Sequence, residues 1–306
     1  MEALVQKIKE LKEKKNAIIL AHYYTRPEIQ DVADYLGDSL GLAREAEKTD
    51  ADIIVFCGVH FMAETASVVS PEKKVLIPAQ KAGCSLAEGI TPEELREWKA
   101  KNPGAVVVTY VNTTAAIKAE SDYCCTSSNA LKIVESIPED KKVLFLPDKN
   151  LGGYIKKMTG RNMEIWQGDC CVHERIGTQM IIDKLAEYPD ADVLIHPESN
   201  CSHDDLILSH PQTYMYSTAG IISHAKESSK KNFIIATENE TIHKLKKDNP
   251  DKNFIPVSET TLCGSMKKVT IEKLYEALEK EQYEVKVPAE LAKKALLPIK
   301  RMLEIG

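Results

Sequence analysis

The chain has 306 residues, of which 43% are hydrophobic, and a formal net charge of −6 at pH 7. The negative balance and the lack of any basic run argue against nucleic acid as a partner. No apolar segment approaches the ~20 residues that span a bilayer, and the charged N-terminus lacks the apolar stretch of a signal peptide. We therefore expect a cytoplasmic protein without a membrane partner.

The first block of the chain begins with a helical pattern, VQKIKELKEKK, and an apolar strand, NAIILAHYY, whose carboxyl end carries His22 and Tyr24. Residues i and i+2 of a strand face the same side, so these two groups point one way. In the next segment, DYLGDSLGLA, Asp38 and Ser39 lie between a short strand and a helical pattern, where a helix N-cap belongs. A third strand in ADIIVFCGVHFMAE, a fourth in KKVLIP and then Cys84 complete the block.

The second block repeats this order. Its first strand, AVVVTYVNT, ends with Tyr110 and Asn112, and DYCCTSSNAL places Thr126 and Ser127 at the helix start. Strands in KKVLFLPDKNLGGYI and NMEIWQGD follow, and Cys170 closes the block. Polar groups at the same strand end therefore recur at a fixed place in the repeat.

The third block shows the same features. DVLIHPESN ends with His196 and Glu198, TYMYSTAGII carries Ser217 and Thr218, and strands in KKNFIIATENETIHKL and NFIPVSET precede Cys263. Free N–H groups and the helix dipole make a helix N-terminus an anion site. Three equivalent termini that converge predict three bound anionic groups.

Strands that alternate with helical patterns are typical of βαβ units with parallel pairing. We therefore predict an α/β protein of three homologous small three-layer α/β/α domains, in pseudo-threefold arrangement around a central active site. The expected domains are residues 1–85 with 264–306, residues 86–171 and residues 172–263. We expect the terminal helical segments to pack on the first domain, and Pro298 to kink or break the last helix.

The eight cysteines are not expected to form disulfides in the cytoplasm. Those in or beside apolar strands are predicted to be buried: Cys57, Cys124 and Cys125. Cys84, Cys170 and Cys263 lack CxxC spacing, which excludes a local zinc knuckle, but equivalent points of three repeats come together. Soft thiolates favour an iron-sulfur cluster or zinc, and an open position on either metal would be a Lewis acid.

The chain resembles the quinolinate synthase family over essentially its whole length. The motifs that carry the resemblance are AHYYTRPEIQDVADYLGDSL, GVHFMAET, TYVNTTAAIKAESDYCCTSSNA, PDKNLGGYI, GDCCVHE, HPES and the Cys263 loop. The resemblance implies one 4Fe-4S cluster bound by Cys84, Cys170 and Cys263, with one iron free for substrate. It also implies an oxygen-sensitive enzyme of NAD biosynthesis.

The implied reaction condenses iminoaspartate with dihydroxyacetone phosphate to quinolinate, with loss of phosphate and water. An aspartate oxidase or dehydrogenase that supplies iminoaspartate is then an expected transient partner. The substrates carry two carboxylates and one phosphate, which matches three helix N-termini. By resemblance, the binding residues are Ser217 and Thr218 for phosphate, Ser39 and Ser127 for carboxylates, and Tyr110 and Asn112 for the aspartate-derived part.

The implied chemistry needs groups that donate and accept protons near neutrality. Glu198 and Tyr24 are assigned to acid/base work on the triose. His22 and His196 are placed beside its oxygens, and His173 is a further catalytic candidate.

Several alternatives stay open. At GDCCVHE the resemblance puts the ligand at Cys170 and leaves Cys171 to packing, but either cysteine fits the spacing. Glu64 and Glu238 follow third strands and are undecided between the site and the scaffold. The alternative functions are a diphthamide-synthesis enzyme that cleaves S-adenosylmethionine, a non-catalytic zinc scaffold, and a sugar-phosphate or nucleotide binder without metal.

Overall fold

The structure is a computed structural model that describes residues 2–305. It contains three four-stranded sheets, and the strand pairs within them are parallel. Each sheet has the same order: second strand, first, third, fourth, as counted along the chain. The predicted α/β class with three parallel sheets is therefore confirmed.

The strands follow the predicted segments. The first sheet contains β1 (Ala17–His22), β2 (Tyr35–Gly37), β3 (Ile53–Cys57) and β4 (Lys74–Leu76). The second contains β5 (Val106–Tyr110), β6 (Tyr123–Cys125), β7 (Val143–Leu146) and β8 (Met163–Ile165). The third contains β9 (Asp192–Ile195), β10 (Thr213–Met215), β11 (Asn232–Ala236) and β12 (Asn253–Pro256).

Helices connect the strands. The first repeat has α1 (Glu2–Lys14), α2 (Pro27–Val32), α3 (Ser39–Lys48) and α4 (His60–Val69). The second has α5 (Ser85–Glu88), α6 (Pro92–Lys101), α7 (Ala115–Ala119), α8 (Ala130–Ser136) and α9 (Lys149–Thr159). The third has α10 (Thr178–Glu187), α11 (Asp205–Leu208), α12 (Thr218–Glu227) and α13 (Thr241–Asp248), and the chain ends with α14 (Ile271–Lys280) and α15 (Ala289–Ile305). Within residues 2–305, every helix is too short or too polar to cross a membrane.

Neighbouring residues of one strand belong to different hydrophobic clusters. Val193 and Ile195 of β9 belong to a cluster on one face of the third sheet, whereas Leu194 joins the large cluster shared by all three repeats. Val107 of β5 likewise lies in a separate cluster, and Val108 lies in the shared one. Because side chains alternate across a strand, each of these sheets buries both faces and has one face toward the shared core.

The helix starts agree with the sequence prediction in two repeats and differ in the second. Asp38 caps α3 by accepting from the Gly41 N–H at 3.0 Å, and Ser217 caps α12. In the second repeat α8 begins only at Ala130, and residues 127–129 form a turn. The Asn129 side chain accepts from the Thr126 N–H at 2.8 Å, which closes that turn before the helix begins. The Ala130 N–H still bonds the Thr126 carbonyl at 2.9 Å, as the Leu42 N–H bonds Asp38 and the Ile221 N–H bonds Ser217. Ser127 therefore lies in a turn that leads into the helix, and the regular helix begins three residues later than in the other repeats.

The C-terminal helix also departs from the prediction. Helix α15 continues through Pro298 without a break. It packs on α4 of the first repeat but also on α7 and β6 of the second, where the Asn129 amide donates to the Met302 carbonyl at 2.9 Å. The packing of α15 against both repeats offsets the loss of the backbone hydrogen bond that proline cannot make. The helix does not break at Pro298. It packs on the first repeat as expected, as α1 and α14 do, and it also packs on the second.

Candidate active site

The carboxyl ends of β1, β5 and β9 open into one cavity lined by residues of all three repeats. In this strand order the connections after the first and third strands leave in opposite directions, and ligands bind at such a switch point. The predicted site residues that line the cavity are His22, Tyr24, Ser39, Cys84, Tyr110, Asn112, Ser127, Cys170, His173, His196, Glu198, Thr218 and Cys263.

Ser217 is the predicted site residue that does not line the cavity. It is buried, and its hydroxyl accepts from the Gly220 N–H at 3.2 Å as the cap of α12. The following residue, Thr218, begins the helix and faces the cavity. The structure thus places Ser217 behind the helix start, and Thr218 at the site.

Glu198 is a buried carboxylate with partners from its own repeat and from the second repeat. Its Oε2 lies 2.9 Å from Nδ1 of His173, and its Oε1 accepts from the Tyr110 hydroxyl and from the Asn112 amide at 3.4 Å. Burial raises the pKa of Glu198, but His173, His196 and the hydrogen bonds from His173 and Tyr110 outweigh burial, so the pKa lies below its usual value. Glu198 is therefore ionised and able to accept a proton.

His22 and His196 occupy equivalent positions and make equivalent bonds. Nδ1 of His22 accepts from the Tyr24 N–H at 3.1 Å, and Nδ1 of His196 accepts from the Glu198 N–H at 3.3 Å. Burial lowers the pKa of each ring to about 3, so both are neutral at physiological pH. Each ring therefore carries its proton on Nε2 and is a hydrogen-bond donor there. Nε2 of His196 lies 3.2 Å from the Ser127 hydroxyl.

The Tyr24 hydroxyl lies 2.8 Å from the hydroxyls of both Thr218 and Thr237. Thr237 in turn lies 2.9 Å from Nε2 of His173. Burial, followed by the charge of Glu198, raises the pKa of Tyr24, so this hydroxyl keeps its proton. Tyr24, Thr237, His173 and Glu198 consequently form one continuous hydrogen-bonded row.

The three predicted ligand cysteines lie on the loops that follow the fourth strands, and none is in a disulfide. Burial raises the pKa of Cys84 to about 12 and raises the pKa values of Cys170 and Cys263. The charge of Cys263 contributes a smaller increase to the pKa of Cys84, and the charge of Cys84 does the same for Cys170, because these side chains are close together. Neighbouring buried thiols ionise together only beside a positive charge, so this donor set suits a metal centre.

A second metal-binding arrangement shares one of these cysteines. Ligand atoms of Cys170, His173 and Glu198 all lie within 4.8 Å of one another, and Nδ1 of His173 is 3.3 Å from the Cys170 sulfur. Their spacing along the chain does not predict this group, because the three residues lie on two loops that only the fold brings together.

Predictions were made for four further cysteines, and three of them agree with the structure. Cys57, Cys124 and Cys125 are buried as predicted. Cys171 is exposed and lines the cavity, so the prediction that it packs in the interior was wrong.

Glu238 belongs to the site, and Glu64 belongs to the scaffold. Glu238 is fully buried and lines the cavity, whereas Glu64 does not line it and accepts from the Ala115 N–H at 3.0 Å. The sequence analysis missed Thr237, which directly follows the last residue of β11 and precedes Glu238. The recurrence of polar residues at strand ends is the signal that could have found it, although Thr237 contacts Tyr24 and His173 and does not itself line the cavity.

Comparison with known proteins gives a consistent result. The family model described as quinolinate synthetase A protein matches residues 6–304. The quinolinate synthase of Pyrobaculum aerophilum is 50% identical, over 99% of this chain and 100% of its own. A quinolinate synthase of Thermus thermophilus is 47% identical, over 100% of this chain and 98% of its own.

Among solved structures, the E-1-hydroxy-2-methyl-but-2-enyl-4-diphosphate reductase of Plasmodium falciparum aligns with 92% of this chain and 95% of its own. Its TM-score of 0.30 and identity of 13% are too low to bear on fold or function. The family match and the full-length relatives are decisive, and the chain belongs to the quinolinate synthetase A family of enzymes.

Proposed function

We propose that this protein is a quinolinate synthase, which condenses iminoaspartate with dihydroxyacetone phosphate and releases phosphate and water. One observation carries the proposal: the Glu198 carboxylate, the neutral rings of His22 and His196, the hydroxyls of Tyr24 and Tyr110 and the three predicted ligand thiols all line a single cavity between the repeats. Family membership supports the same reaction.

The proposed cofactor is one 4Fe-4S cluster held by Cys84, Cys170 and Cys263. Three free, half-buried cysteines on equivalent loops are a suitable thiolate set, and a three-thiolate site leaves one iron without a protein ligand. When bound, the cluster supplies a Lewis acid.

The substrate anions are proposed to bind at three points. Ser39 and Thr218 begin the ten-residue helices α3 and α12, whose N-termini favour negative charge. We assign phosphate to Thr218, with Ser217 ordering the helix start, and carboxylates to Ser39 and Ser127. Ser127 supplies a hydroxyl, since its own segment is a turn.

Tyr110 and Asn112 are proposed to orient the aspartate-derived part. The Asn112 Oδ1 atom is buried and has no hydrogen-bond partner within residues 2–305. An unpaired buried acceptor is costly, so a substrate N–H that reaches it gains a bond that the protein lacks. The imine nitrogen of iminoaspartate carries such an N–H.

The proton transfers are assigned to the chain's own groups. Ionised Glu198 takes a proton from carbon of the triose, and the Tyr24 hydroxyl donates to an oxygen. The Nε2–H groups of His22 and His196 donate to the triose oxygens, and His173 supports Glu198 at 2.9 Å.

We also propose the domain boundaries, the location of the enzyme and the source of its iminoaspartate. The domains are residues 1–85 with 264–306, residues 86–171 and residues 172–263. The enzyme is cytoplasmic and oxygen-sensitive, and an aspartate oxidase or dehydrogenase supplies iminoaspartate through transient contact.

The test is the iron and acid-labile sulfide content of protein purified without oxygen, followed by an assay of quinolinate formation. About four of each per chain, together with quinolinate, is the expected result. A cluster without quinolinate would favour the S-adenosylmethionine-cleaving alternative. Bound zinc without turnover would favour the scaffold, with Cys170, His173 and Glu198 as ligands.

A further inference from the structure

The carboxyl end of β11 presents two buried polar residues, Thr237 and Glu238, that the proposed chemistry does not use. Both side chains have no exposed surface. Burial of a hydroxyl and a carboxylate is costly unless each is fully hydrogen-bonded, so their partners reveal what they do.

Thr237 connects two of the proposed acid/base residues. Its hydroxyl lies 2.8 Å from the Tyr24 hydroxyl and 2.9 Å from Nε2 of His173. A threonine hydroxyl can donate one bond and accept others, so it serves both neighbours at once. Because χ1 of a β-branched side chain has few accessible rotamers, the hydroxyl is held in place by its own backbone.

Glu238 connects a cysteine loop to the backbone of Tyr24. Its Oε1 accepts from the Cys263 N–H at 3.0 Å and from the Lys267 ammonium at 2.6 Å. The same ammonium donates to the Tyr24 carbonyl at 2.6 Å. The Glu238 Oε2 accepts from the Glu240 N–H at 2.9 Å, so both carboxylate oxygens are paired.

Tyr24 is thus held at two ends by one short segment of the third repeat. Thr237 contacts its hydroxyl, and Glu238 contacts its carbonyl through Lys267. Tyr24 and Lys267 belong to the first domain, so the bonds from Thr237 to Tyr24 and from Lys267 to Glu238 cross the boundary between the first and third repeats. The segment also contacts His173 and the Cys263 N–H, which places all of these groups relative to one another.

We propose that Thr237 and Glu238, with Lys267, are positioning residues that align Tyr24 with His173 and with the Cys263 loop. The inference rests on the proposed function for its catalytic consequence. The positioning itself does not depend on that function, because it is a property of the hydrogen bonds across the repeats.

The first test replaces Thr237 by valine, which keeps the shape and removes the hydroxyl. In the anaerobically purified holoenzyme, Thr237→Val should lower kcat roughly 10- to 100-fold, the effect of losing one or two aligned bonds, with iron content and KM unchanged. Thr237→Ser should restore most of kcat. A kcat within twofold of wild type, or a parallel loss of iron, would overturn the catalytic arm of the proposal.

Thr241→Val is the matched control. Thr241 is fully buried in the same repeat, and its hydroxyl has no partner within residues 2–305. Its replacement should leave kcat at the wild-type value, because no bond is lost. An equal loss in both variants would mean that the effect is general to buried threonines and would refute a special role of Thr237.

The second test does not use activity. Lys267→Met should accelerate amide hydrogen exchange in peptides covering residues 22–25 and 259–266 together, whereas Lys267→Arg should preserve slow exchange. The control is Lys231→Met, which removes an exposed ion pair with Asp251 of the same repeat. Unchanged exchange in Lys267→Met would overturn the positioning role. A wild-type protein that makes no quinolinate but shows this pattern would refute the proposed function alone.

Discussion

At the residue scale, two of the polar pairs at the strand ends contain an internal hydrogen bond that their spacing does not predict. In His22–Tyr24 and His196–Glu198, the N–H of the second residue bonds Nδ1 of the histidine. The pair therefore sets its own tautomer, which leaves Nε2–H for the cavity. In the second repeat a tyrosine, Tyr110, takes the histidine's place and donates its hydroxyl to Glu198 instead.

The role of Tyr24 can be tested with Tyr24→Phe. Removing a hydroxyl that acts in proton transfer should lower kcat for quinolinate formation by at least ~100-fold, with little change in bound iron. The measurement is an anaerobic turnover assay beside an iron determination. Tyr23→Phe, at the neighbouring and similarly buried ring, should retain kcat. Equal activity of the two variants would contradict the assignment.

Single substitutions can also test whether Cys170 or its neighbour Cys171 is the metal ligand. Cys170→Ala should lose most of the bound iron, because the Cys170 sulfur lies beside His173 and close enough to Cys84 for that thiol to raise the pKa of Cys170. Cys171→Ala should keep iron at the wild-type level, since that side chain is exposed. Iron and sulfide content after anaerobic reconstitution is the measurement, and the reverse result would move the ligand to Cys171.

At the element scale, Glu281 joins three elements of the first repeat. It ends α14 in the left-handed region, with φ of 53°, and bonds Lys15 after α1 and Lys74 of β4 at 2.6 Å each. The hydrogen bonds from Lys15 and Lys74 lower the pKa of Glu281 to about 2. The terminal helices are therefore attached to the first sheet partly by charge.

Glu281→Gln should lower the free energy of unfolding by about 1 kcal/mol at pH 7, the sum of two partly exposed ion pairs. The folded pKa lies below the unfolded value of 4.5, so the carboxylate stabilises the fold above that pH and loses this effect as pH falls toward 2. The difference between variant and wild type should thus shrink from pH 7 to pH 3 in urea titrations. A difference that stays constant with pH would exclude the charged pairs as its source. Glu276→Gln, on the same helix, is the control.

At the scale of the whole molecule, the repeats are connected through α15. Its buried side chains include Ala295, Ile299 and Met302, and it packs on elements of the first and second repeats. The Arg301 guanidinium lies 4.8 Å from the ring centre of Tyr123 in β6. Small repeats bury little apolar surface alone, so a helix shared between two of them stabilises both.

Met302→Ala should lower the free energy of unfolding by roughly 2–4 kcal/mol, because it leaves a cavity between two repeats. Chemical denaturation under anaerobic conditions measures the effect. Leu297→Ala on the same helix is the control, since Leu297 is 56% exposed and its loss should cost less than ~0.5 kcal/mol. Similar losses in both variants would contradict the packing described for α15.

The sequence by itself determined the repeat, its strands and the residues at the strand ends. These features are local: apolar runs specify strands, and parallel strands bring their carboxyl ends to one edge of the sheet. That rule was enough to predict that His22, Tyr110 and Glu198 share a site, and all three line one cavity.

The tertiary structure alone decided how the repeats meet. The bonds from Thr237 to Tyr24 and His173, the placement of α15 against two repeats and the exposure of Cys171 all depend on contacts between distant segments. The turn before α8 is closed by a side-chain bond between Asn129 and the Thr126 N–H, which the strand-and-helix pattern does not specify. The spacing of residues along a strand determines which face of the sheet a side chain occupies. Which residue it contacts across a repeat boundary is determined only by the packing of the whole core.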